Sequence, residues 1–478
     1  MNTTGHSRQV RGRAAVAVSM LLGLLATLAL PQAAAVAGQP VHPHGATEIA
    51  TPLRVDGERI RDAEGRDVVL RGISVINKRD PFYPDVDASD FRRIRDLGLN
   101  HIRLGISWEG IMPEEGEVDP GYLREIRRIV RDAGRGGLLV ILDMHQDLYG
   151  GPRGNGAPDW AYRPSGCPHI ELAEPTGAWA ANYASPEVNC AFTRFWLSST
   201  LQGYYTDAWM AMAEAVGGEP NVIGYDLMNE PWQGYIPPVL FESRYLYPSQ
   251  ARWLEAIREA DPNGIGFVEP NVLKSVTMAS PPPAGMLPDN SVYSPHLYGP
   301  WDFTSEIEIL QETRRLADVN FAASRKEAAS AGVPLWLGEW GVFTTATGAA
   351  DYVTHVYDMV DDALAGTAIW EYGDSAYSPF DTETWEPSPL YDPVLRAYPE
   401  AVPGTLRDID YDAERRTLDL AWSGGEGGVA LLRAPAERYP EGVAVSGTDQ
   451  WRWDPRRGLV MAEVPAGDGT LAVTPVGP

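Results

Sequence analysis

The sequence is poor in cysteine, in basic residues and in phenylalanine for its 478 residues. Lysine and arginine total 39 against 65 aspartates and glutamates, so the formal net charge is −26. A surface of this sign repels phosphate backbones, and nucleic acid is therefore not an expected partner. Two cysteines are too few for a structural zinc site, and neither a CxxC nor an HExxH spacing occurs. We expect no metal site and no cofactor.

Long hydrophobic runs are missing after the first 37 residues, so no membrane span is predicted there. The first 37 residues combine three early arginines, an apolar stretch over 14–30 and small residues over 33–37. This three-part pattern is typical of a cleaved secretory signal, with an uncleaved N-terminal anchor as the alternative. We therefore expect a secreted protein. In an oxidising compartment Cys167 and Cys190 are predicted to form a disulfide, with two free thiols as the alternative.

Short β-rich runs alternate with amphipathic helical segments between residues 68 and 373. Helices are predicted over 89–97, 122–133, 249–260 and 305–331, with Ser89 and Ser249 as N-caps. The predicted strands are eight, over 68–76, 101–107, 138–147, 222–230, 265–269, 291–298, 334–341 and 367–373. Eight alternating units predict an α/β fold, a closed (β/α)8 TIM barrel. A doubly wound open sheet is the alternative, but no GxGxxG motif follows the first strand.

The repeat has two long insertions and a different C-terminal part. The insertions cover 148–200, which holds both cysteines, and the aromatic segment 231–247; long loops of this kind usually form lids or binding walls. Short β-rich runs over 417–422, 428–433, 442–446, 458–465 and 469–474 predict a small C-terminal β-sandwich. The predicted organisation is a signal peptide over 1–37, a catalytic barrel over 38–402 and a β-sandwich over 403–478.

Two glutamates lie at predicted strand ends, where barrel enzymes carry their catalytic groups. Glu230 follows the fourth strand in the sequence NEP, and Glu339 lies on the seventh in GEWG. Glycoside hydrolysis requires such a pair: one acid protonates the leaving oxygen while the other carboxylate supports or attacks the oxocarbenium-like centre. The acid must have the higher pKa of the two. The alternative is that both are solvated loop residues.

Other polar residues at strand ends suit substrate binding. Asn229 is expected to hydrogen-bond a sugar 2-hydroxyl, His296 and Tyr298 to orient Glu339, and Arg103 to keep that glutamate ionised. His145 and Trp370 also lie at strand ends.

The motifs HIRL, NEP, SPHLY and GEWG, together with Trp370, resemble glycoside hydrolase family five over residues 53–398. The resemblance implies a retaining mechanism in which Glu230 is the acid/base and Glu339 the nucleophile. It implies a place in the active site for the residues that match the family's other positions, namely Arg103, His145, Asn229, His296, Tyr298 and Trp370.

Four longer segments resemble the endoglycoceramidases: LDMHQD at 142–147, GNGAPDW at 154–160, YDLMNEP at 225–231 and PHLY at 295–298. Those enzymes cut the β-glycosidic bond between an intact glycan and ceramide, and their barrel is followed by a β-sandwich. Lys78 and Asp147 are then candidates for contacting the first sugar, although Lys78 is equally compatible with a solvated loop cation. The segments INKRDP and WEYGD depart from the pattern and leave the glycan series open.

The leading hypothesis is a secreted retaining endo-β-glycosidase that acts on glycosphingolipids. Alternatives within the enzyme class are an endogalactosylceramidase, a β-glucosylceramidase and an endo-β-glucanase. An inactive glycan- or lipid-binding barrel is the alternative from another class. Metal-dependent hydrolysis is disfavoured because the polar cluster lacks known ligand spacing, even though it contains Asp143, His145, Asp147 and His169. We expect a monomer that contacts a lipid surface transiently, with a detergent or an activator as an optional partner.

Overall fold

The computed structural model describes most of the chain. The described residues are 48–151, 154–162, 167, 179–275, 282, 285–299, 311–373, 375–381 and 384–477. The predicted signal peptide and His169 lie outside them. In the described part of the chain, no helix is both long enough and apolar enough to cross a membrane.

The elements alternate as the sequence predicts, with additional short strands at both ends of the chain. In chain order, the strands are β1 (Arg54–Asp56), β2 (Arg59–Arg61), β3 (Asp67–Val68), β4 (Arg71–Val75), β5 (His101–Ile106), β6 (Leu139–Met144), β7 (Val222–Asp226), β8 (Ile265–Val268), β9 (Ser291–Tyr293), β10 (His296–Leu297), β11 (Trp336–Leu337), β12 (Glu339–Trp340), β13 (Gly366–Ile369), β14 (Tyr398–Val402), β15 (Thr405–Asp412), β16 (Thr417–Ser423), β17 (Gly428–Arg433), β18 (Val443–Ser446), β19 (Trp451–Asp454), β20 (Leu459–Val464) and β21 (Gly469–Pro475). The α-helices are α1 (Ala88–Asp96), α2 (Trp108–Ile111), α3 (Pro120–Arg135), α4 (Asp159–Tyr162), α5 (Pro186–Leu197), α6 (Ser199–Val216), α7 (Pro238–Phe241), α8 (Tyr247–Ala260), α9 (Gln311–Ala331), α10 (Ala349–Asp362) and α11 (Tyr391–Val394).

Eight parallel strands form the barrel, in the order β4-β5-β6-β7-β8-β9-β11-β13 and back to β4. A parallel bridge from Tyr293 to Leu335 joins β9 to the start of β11 and closes the circle. The strands are buried along almost their whole length, as expected when helices cover a parallel sheet. The (β/α)8 prediction is therefore confirmed.

The barrel strands are shorter than the sequence suggests. The predicted run 68–76 is divided between β3 and β4, which belong to different sheets. The predicted fourth strand ends at Asp226, and the residues from Leu227 to Glu230 leave the sheet as a loop. Polar side chains at these strand ends turn away from the ladder to bond one another, which ends the regular pairing.

The two predicted N-caps are wrong. Asp87 caps α1, since its carboxylate accepts from the Ser89 N–H and its backbone N–H donates to Asp90 in a capping box. Ser249 lies inside α8, which begins two residues earlier and carries Pro248 in its first turn, a position that proline favours. In both places the stronger start signal lies upstream of the serine.

The C-terminal part is a β-sandwich whose sheets take strands from both ends of the chain. The seven-stranded sheet has the order β1-β2-β3-β14-β17-β20-β19, and the four-stranded sheet has the order β15-β16-β21-β18. All five predicted tail strands are present, but β1 to β3 and β14 precede the predicted boundary at residue 403. These strands have only two to five residues, too few for an alternating pattern to stand out in the sequence.

The sandwich covers the N-terminal end of the barrel. Ile141, Ile265 and Phe267 of the barrel belong to the same buried apolar cluster as Leu431 and Met461 of the seven-stranded sheet. Burial of this shared surface removes apolar area of both the barrel and the sandwich from water. Each Å² of apolar area buried in this way stabilises the fold by about 25 cal/mol. The sandwich thereby closes the N-terminal end of the barrel. The opposite end, where the strands finish, is the one that can hold a site.

The predicted disulfide joins Cys167 to Cys190, with 5.6 Å between their Cα atoms. Cys190 lies in α5, which packs on the second insertion: the Trp196 indole N–H donates to the Trp232 carbonyl at 2.8 Å. The crosslink therefore lies within the first insertion and attaches its Cys167 to the helix that supports the loop after Glu230.

One buried carboxylate links the barrel to the sandwich and generates a stability prediction. Asp361 of α10 accepts from Arg71 at the start of β4 and from Arg396 just before β14, and all three side chains are at most 3% exposed. Asp361→Ala leaves two buried guanidinium groups without this partner, and we expect the free energy of unfolding to fall by about 3–5 kcal/mol. Urea denaturation measures the change.

The matched control is Asp358→Ala, which removes the other carboxylate of Arg396, one that is 54% exposed. Its ion pair lies near solvent, so its loss is expected to cost about 0–1 kcal/mol. Equal losses in the two variants would contradict the structural role given to Asp361.

Candidate active site

The carboxyl ends of the barrel strands bring together every residue that the sequence predicted for the site. β10 pairs in parallel with β12 so that His296 stands beside Glu339 and Leu297 beside Trp340. The Asn229 N–H donates to the Met144 carbonyl, which fixes the loop after β7 against the end of β6. The described site residues are Lys78, Arg103, His145, Asp147, Asn229, Glu230, His296, Tyr298, Glu339 and Trp370.

Glu230 and Glu339 face each other at short range. One carboxylate oxygen of each and a ring nitrogen of His296 lie within 4.8 Å of one another. Both glutamates are buried, with 7% and 5% of their surface exposed. Carboxyl groups about 5–5.5 Å apart are the geometry of retaining glycosidases, whereas inverting enzymes keep about 6.5–9.5 Å for a water molecule. The separation therefore fits double displacement.

Arg103 is completely buried and neutralises the surrounding acids. Its Nη1 lies 2.9 Å from Glu339 Oε2, and its Nε lies 2.8 Å from Asp226 Oδ2. Its Nη2 contacts Asp143 and Glu269 at 3.1 Å each and donates to Asn229 Oδ1 at 2.8 Å. Burial alone would lower the pKa of Arg103, but these carboxylates raise it well above its ordinary value, so the charge is permanent.

Glu339 is held by two donors from opposite sides. The Tyr298 hydroxyl donates to Oε1 at 2.7 Å, while Arg103 donates to Oε2. Hydrogen bonds from a cation and a phenol fix the orientation of this carboxylate. The prediction that Arg103 and Tyr298 serve Glu339 agrees with these contacts.

His296 lies closer to Glu230 than to Glu339, although the sequence analysis expected it to orient Glu339. Its Nδ1 lies 3.1 Å from Glu230 Oε1 and 3.9 Å from Glu339 Oε1. Burial alone would lower the pKa of His296, but Glu269 and Glu339 raise it well above its ordinary value. The imidazole is therefore a cation that contacts the Glu230 carboxyl.

Glu230 has the environment of an acid that keeps its proton. Burial raises the pKa of its carboxyl, His296 opposes this, and Glu339 and Asp147 raise the pKa further. Its backbone lies in the left-handed region with φ 44°, which a residue with a Cβ rarely adopts. Strain of this kind persists only where neighbours fix the backbone, and it concentrates at functional sites.

Two residues that the sequence analysis missed fix this backbone. Glu269, at the end of β8, accepts the Glu230 N–H through Oε2 at 2.8 Å. Gln146 donates from Nε2 to the carbonyls of Asn229 and Glu230 at 2.6 and 2.9 Å. Both lie at the ends of predicted strands, 138–147 and 265–269, and a search of every strand end for polar residues would have found Glu269.

Lys78, His145, Asp147 and Trp370 form a second cluster beside the glutamate pair. Lys78 Nζ lies 2.7 Å from Asp147 Oδ2 and 4.4 Å from the centre of the Trp370 ring, which stacks on His145. Burial alone would raise the pKa of Asp147, but Lys78 and His145 hold it well below its usual range. Lys78 is therefore an ion-paired group of the site, not a solvated loop cation. Glu371, in the segment that departs from the family pattern, lies near it, and burial raises the pKa of Glu371 against the opposing charge of Lys78.

Asn229 is fully engaged with its neighbours through both ends of its amide. Oδ1 accepts from Arg103, and Nδ2 donates to the Gln146 carbonyl at 3.0 Å. These contacts hold the amide beside Glu230. The predicted hydrogen bond from Asn229 to a sugar hydroxyl stays a prediction.

Among the described residues, two groups of side chains have spacing that a metal ion accepts, Asp226-Glu269-His296 and Glu230-His296-Glu339. Both include His296, whose raised pKa keeps the ring protonated and removes the lone pair that a metal needs. Burial and Glu269 also raise the pKa of Asp226 well above its usual range. The donor set suits proton transfer better than metal binding.

Comparison with known proteins places the chain in a family. Residues 61–376 match the model for cellulase, glycosyl hydrolase family 5. The chain belongs to glycosyl hydrolase family 5. It is 27% identical over 430 residues to endoglycoceramidase I of Rhodococcus hoagii, covering 84% of this chain and 83% of that protein.

Solved structures of this family superpose along nearly the whole fold. Endo-glycoceramidase II from Rhodococcus sp. in its ganglioside GM3 complex has 30% identity and a TM-score of 0.78, covering 88% of this chain and all of that one. An endogalactoceramidase has 26% identity and a TM-score of 0.72, covering 89% of this chain and 99% of the other.

The contact between His145 and Asp143 gives a prediction that can be tested without a substrate. Burial alone would lower the pKa of His145, but Asp143, whose Oδ2 lies 2.8 Å from Nδ1, raises it to about 9. We expect His145 to stay protonated at neutral pH and to lose its proton only as pH rises through about 9. In Asp143→Asn, burial dominates, and the proton is lost below neutral pH. NMR titration of the imidazole signals measures both values.

The eight histidines of the chain keep the spectrum simple. His101 is the internal reference, because burial lowers its pKa to about 3 and it stays neutral across the titration. An unchanged His145 titration in Asp143→Asn would show that another group maintains its charge.

Proposed function

We propose that the protein is an endoglycoceramidase, a retaining glycosidase that hydrolyses the β-glycosidic bond between the oligosaccharide and ceramide of glycosphingolipids. The observation that carries the proposal is the buried glutamate pair with oxygens within 4.8 Å, in which burial raises the pKa of Glu230 while Arg103 and Tyr298 donate to Glu339. The likeness to endoglycoceramidases over more than four fifths of the chain supports the substrate class.

In the proposed mechanism, Glu339 attacks the anomeric carbon while Glu230 gives its proton to the leaving oxygen. The bond from carbon to the ceramide oxygen breaks, and a covalent glycosyl-enzyme forms. Glu230 then takes a proton from water as the water oxygen attacks the same carbon and Glu339 leaves. Two inversions give net retention, and Glu230 ends the cycle protonated again.

The wall beside Glu230 is apolar and aromatic. Trp232 follows the acid by two residues, and its ring lies 5.2 Å from Tyr183. Because the acid protonates the leaving oxygen, the leaving group must lie on its side of the site. We therefore propose that this wall receives the ceramide, while the cluster of Lys78 and Asp147 binds the glycan.

An exposed apolar rim continues this wall to the surface. Large hydrophobic side chains exposed in the described residues are concentrated here: Leu197 is 61% exposed, Tyr235 61%, Val239 84% and Leu240 41%. These four residues form the apolar rim. Three of the four lie on α5 and α7, which contact each other through Trp196 and Phe241, and Tyr235 lies in the loop before α7. Contiguous exposed apolar residues mark binding surfaces, so we propose transient contact with the lipid surface that holds the substrate.

We further propose that the protein is exported and acts as a monomer, with a detergent or an activator assisting access to lipid. The signal-like N-terminus supports export, and so does the disulfide, since such crosslinks persist in oxidising compartments.

Variants of the two glutamates test the chemistry. Glu339→Gln is expected to release no oligosaccharide from glycolipid, because no carboxylate remains to form the covalent intermediate. Glu230→Gln is expected to slow release by about 10²–10⁴-fold but to cleave a dinitrophenyl lactoside with a smaller loss in the first step, since that leaving group needs no proton. Thin-layer chromatography and dinitrophenol release measure these outcomes, and wild-type rates in Glu339→Gln would end the assignment.

A substrate panel tests the specificity within the family. We expect hydrolysis of lactosylceramide-based glycolipids with release of intact oligosaccharide and ceramide. Preference for a galactose-linked ceramide would favour an endogalactosylceramidase. The similarity to a solved endogalactoceramidase supports this alternative. Cleavage limited to glucosylceramide or to soluble β-glucan would favour the other two enzymes.

If the apolar rim contacts lipid, a charge introduced there should slow the hydrolysis of membrane-bound glycolipid selectively. Val239→Glu is expected to slow hydrolysis of glycolipid in phosphatidylcholine vesicles about tenfold, because the insertion energy of one valine side chain is lost. Cleavage of a soluble aryl lactoside should not change. Val319→Glu in α9 is the matched control, since Val319 is 65% exposed but does not belong to the rim. Equal slowing in both variants would exclude a role for the rim.

A further inference from the structure

Glu269 is the one buried carboxylate that contacts both the backbone and the imidazole partner of Glu230 among the described residues. Its Oε2 accepts the Glu230 N–H at 2.8 Å, and its Oε1 lies 3.1 Å from His296 Nε2. It is 2% exposed. Neither the sequence motifs nor the proposed chemistry uses it.

The backbone of Glu269 is itself fixed. Gln250 of α8, which has no exposed surface, accepts the Glu269 N–H through Oε1 at 3.2 Å and donates from Nε2 to the Glu269 carbonyl at 2.8 Å. A helix side chain thus clamps the end of β8. The carboxylate of Glu269 is thereby pre-positioned before any substrate arrives.

The hydrogen bond to Glu230 acts where the chain is strained. With φ at 44°, the amide of Glu230 points away from any strand partner, and a buried amide without an acceptor costs about 1–3 kcal/mol. Glu269 supplies a charged acceptor, which is stronger than a neutral one. The left-handed turn that aims the Glu230 carboxyl is therefore stabilised from β8.

The second contact acts through His296. The imidazole lies between two carboxyls, with Nδ1 towards Glu230 and Nε2 towards Glu269. After Glu230 has given its proton to the leaving oxygen, its carboxylate is negatively charged and lies next to the His296 cation. Glu269 maintains the charge of that cation. This favours the ionised form of Glu230 at the moment when it must wait to accept a proton from water.

We propose that Glu269 is a positioning residue of the reaction: it holds the strained backbone of Glu230 and maintains the charge of the imidazole that contacts the Glu230 carboxyl. The proposal rests on the proposed function only for its kinetic consequence. The charged and titratable groups that face this site from the neighbouring strands are Arg103, Asp143, Asp226, Glu230, His296 and Glu339.

The test variant is Glu269→Gln, which keeps an acceptor of the same shape but removes the charge. Loss of the negative charge lowers the pKa of His296, so the imidazole loses its proton at lower pH. Glu230 then loses the cation that opposes its raised pKa, so its carboxyl keeps the proton to higher pH. NMR titration is expected to show the acid dissociation constant of His296 raised at least about tenfold. The signal is assigned with His296→Gln. An unchanged constant would overturn the proposal, whatever the substrate of the enzyme.

The kinetic arm separates positioning from general structural damage. In Glu269→Gln the alkaline limb of kcat/KM on glycolipid is expected to move to higher pH, because Glu230 keeps its proton when the His296 charge is weakened; a merely structural defect would lower activity equally at all pH values. Glu269→Asp keeps the charge but withdraws the carboxylate by one methylene, so kcat should fall with the limb unmoved. An alkaline limb shared by Glu269→Gln and the wild type would contradict the proposal.

Glu242→Gln is the matched control. Glu242 is also a buried glutamate that accepts a backbone N–H, from Asn271 at 3.0 Å, but it contacts neither His296 nor Glu230 in the hydrogen bonds and ion pairs of the described residues. We expect the His296 titration and the pH limb to stay as in the wild type. If the wild type cleaves no β-glycoside, the proposed function fails, and the His296 titration still decides the role of Glu269.

Discussion

A single buried guanidinium determines how the ends of the barrel strands are arranged. Arg103 contacts carboxylates from four different strands or strand ends: Asp143 of β6, Asp226 of β7, Glu269 directly after β8, and Glu339 of β12. A buried charge is stable only when its partners complete its hydrogen bonds, and buried acids at this density require a cation among them. The mouth of the barrel is therefore one electrostatic unit: moving any of these strand ends would leave a charge without a partner.

This unit makes two identical side chains different. Glu339 accepts hydrogen bonds from Arg103 and from the Tyr298 hydroxyl. Glu230 has no arginine in contact among the described ion pairs, and burial and the neighbouring Glu339 charge raise its pKa. An ionised nucleophile beside a protonated acid is the state from which double displacement starts. The difference follows from which glutamate is nearer to Arg103, so the fold alone assigns the roles that we propose.

Sequence patterns predicted the parts of this arrangement that depend on order along the chain. Eight strands with polar ends imply a barrel mouth, and Glu230, Glu339 and their eight predicted neighbours do meet there. Glu269 and Gln146 were missed because a strand-end side chain acquires a partner only when the barrel closes, and Glu269 and Glu230 are 39 residues apart. Strands β1 and β2 were missed for a similar reason. They join the seven-stranded sheet through β3, which pairs with β14 from the other end of the fold, and no local periodicity records this pairing. The position of His296 nearer to Glu230 depends on register between β10 and β12, which the sequence does not encode locally.

The two sides of the glutamate pair differ in polarity, and this difference bears on the substrate. On the side of Lys78 and Asp147 the surface offers charges, hydrogen-bonding groups and one flat ring, at Trp370, as sugars require. On the side of Glu230 it offers Trp232, Tyr183 and the apolar rim. An enzyme that cuts within a polysaccharide needs sugar-binding groups on both sides of the bond, because both products are sugars. A site that is polar on one side and apolar on the other instead fits a substrate that is polar at one end and apolar at the other. Since the acid lies on the apolar side, the leaving group must be the apolar end, and a glycan joined to a lipid alcohol meets that requirement.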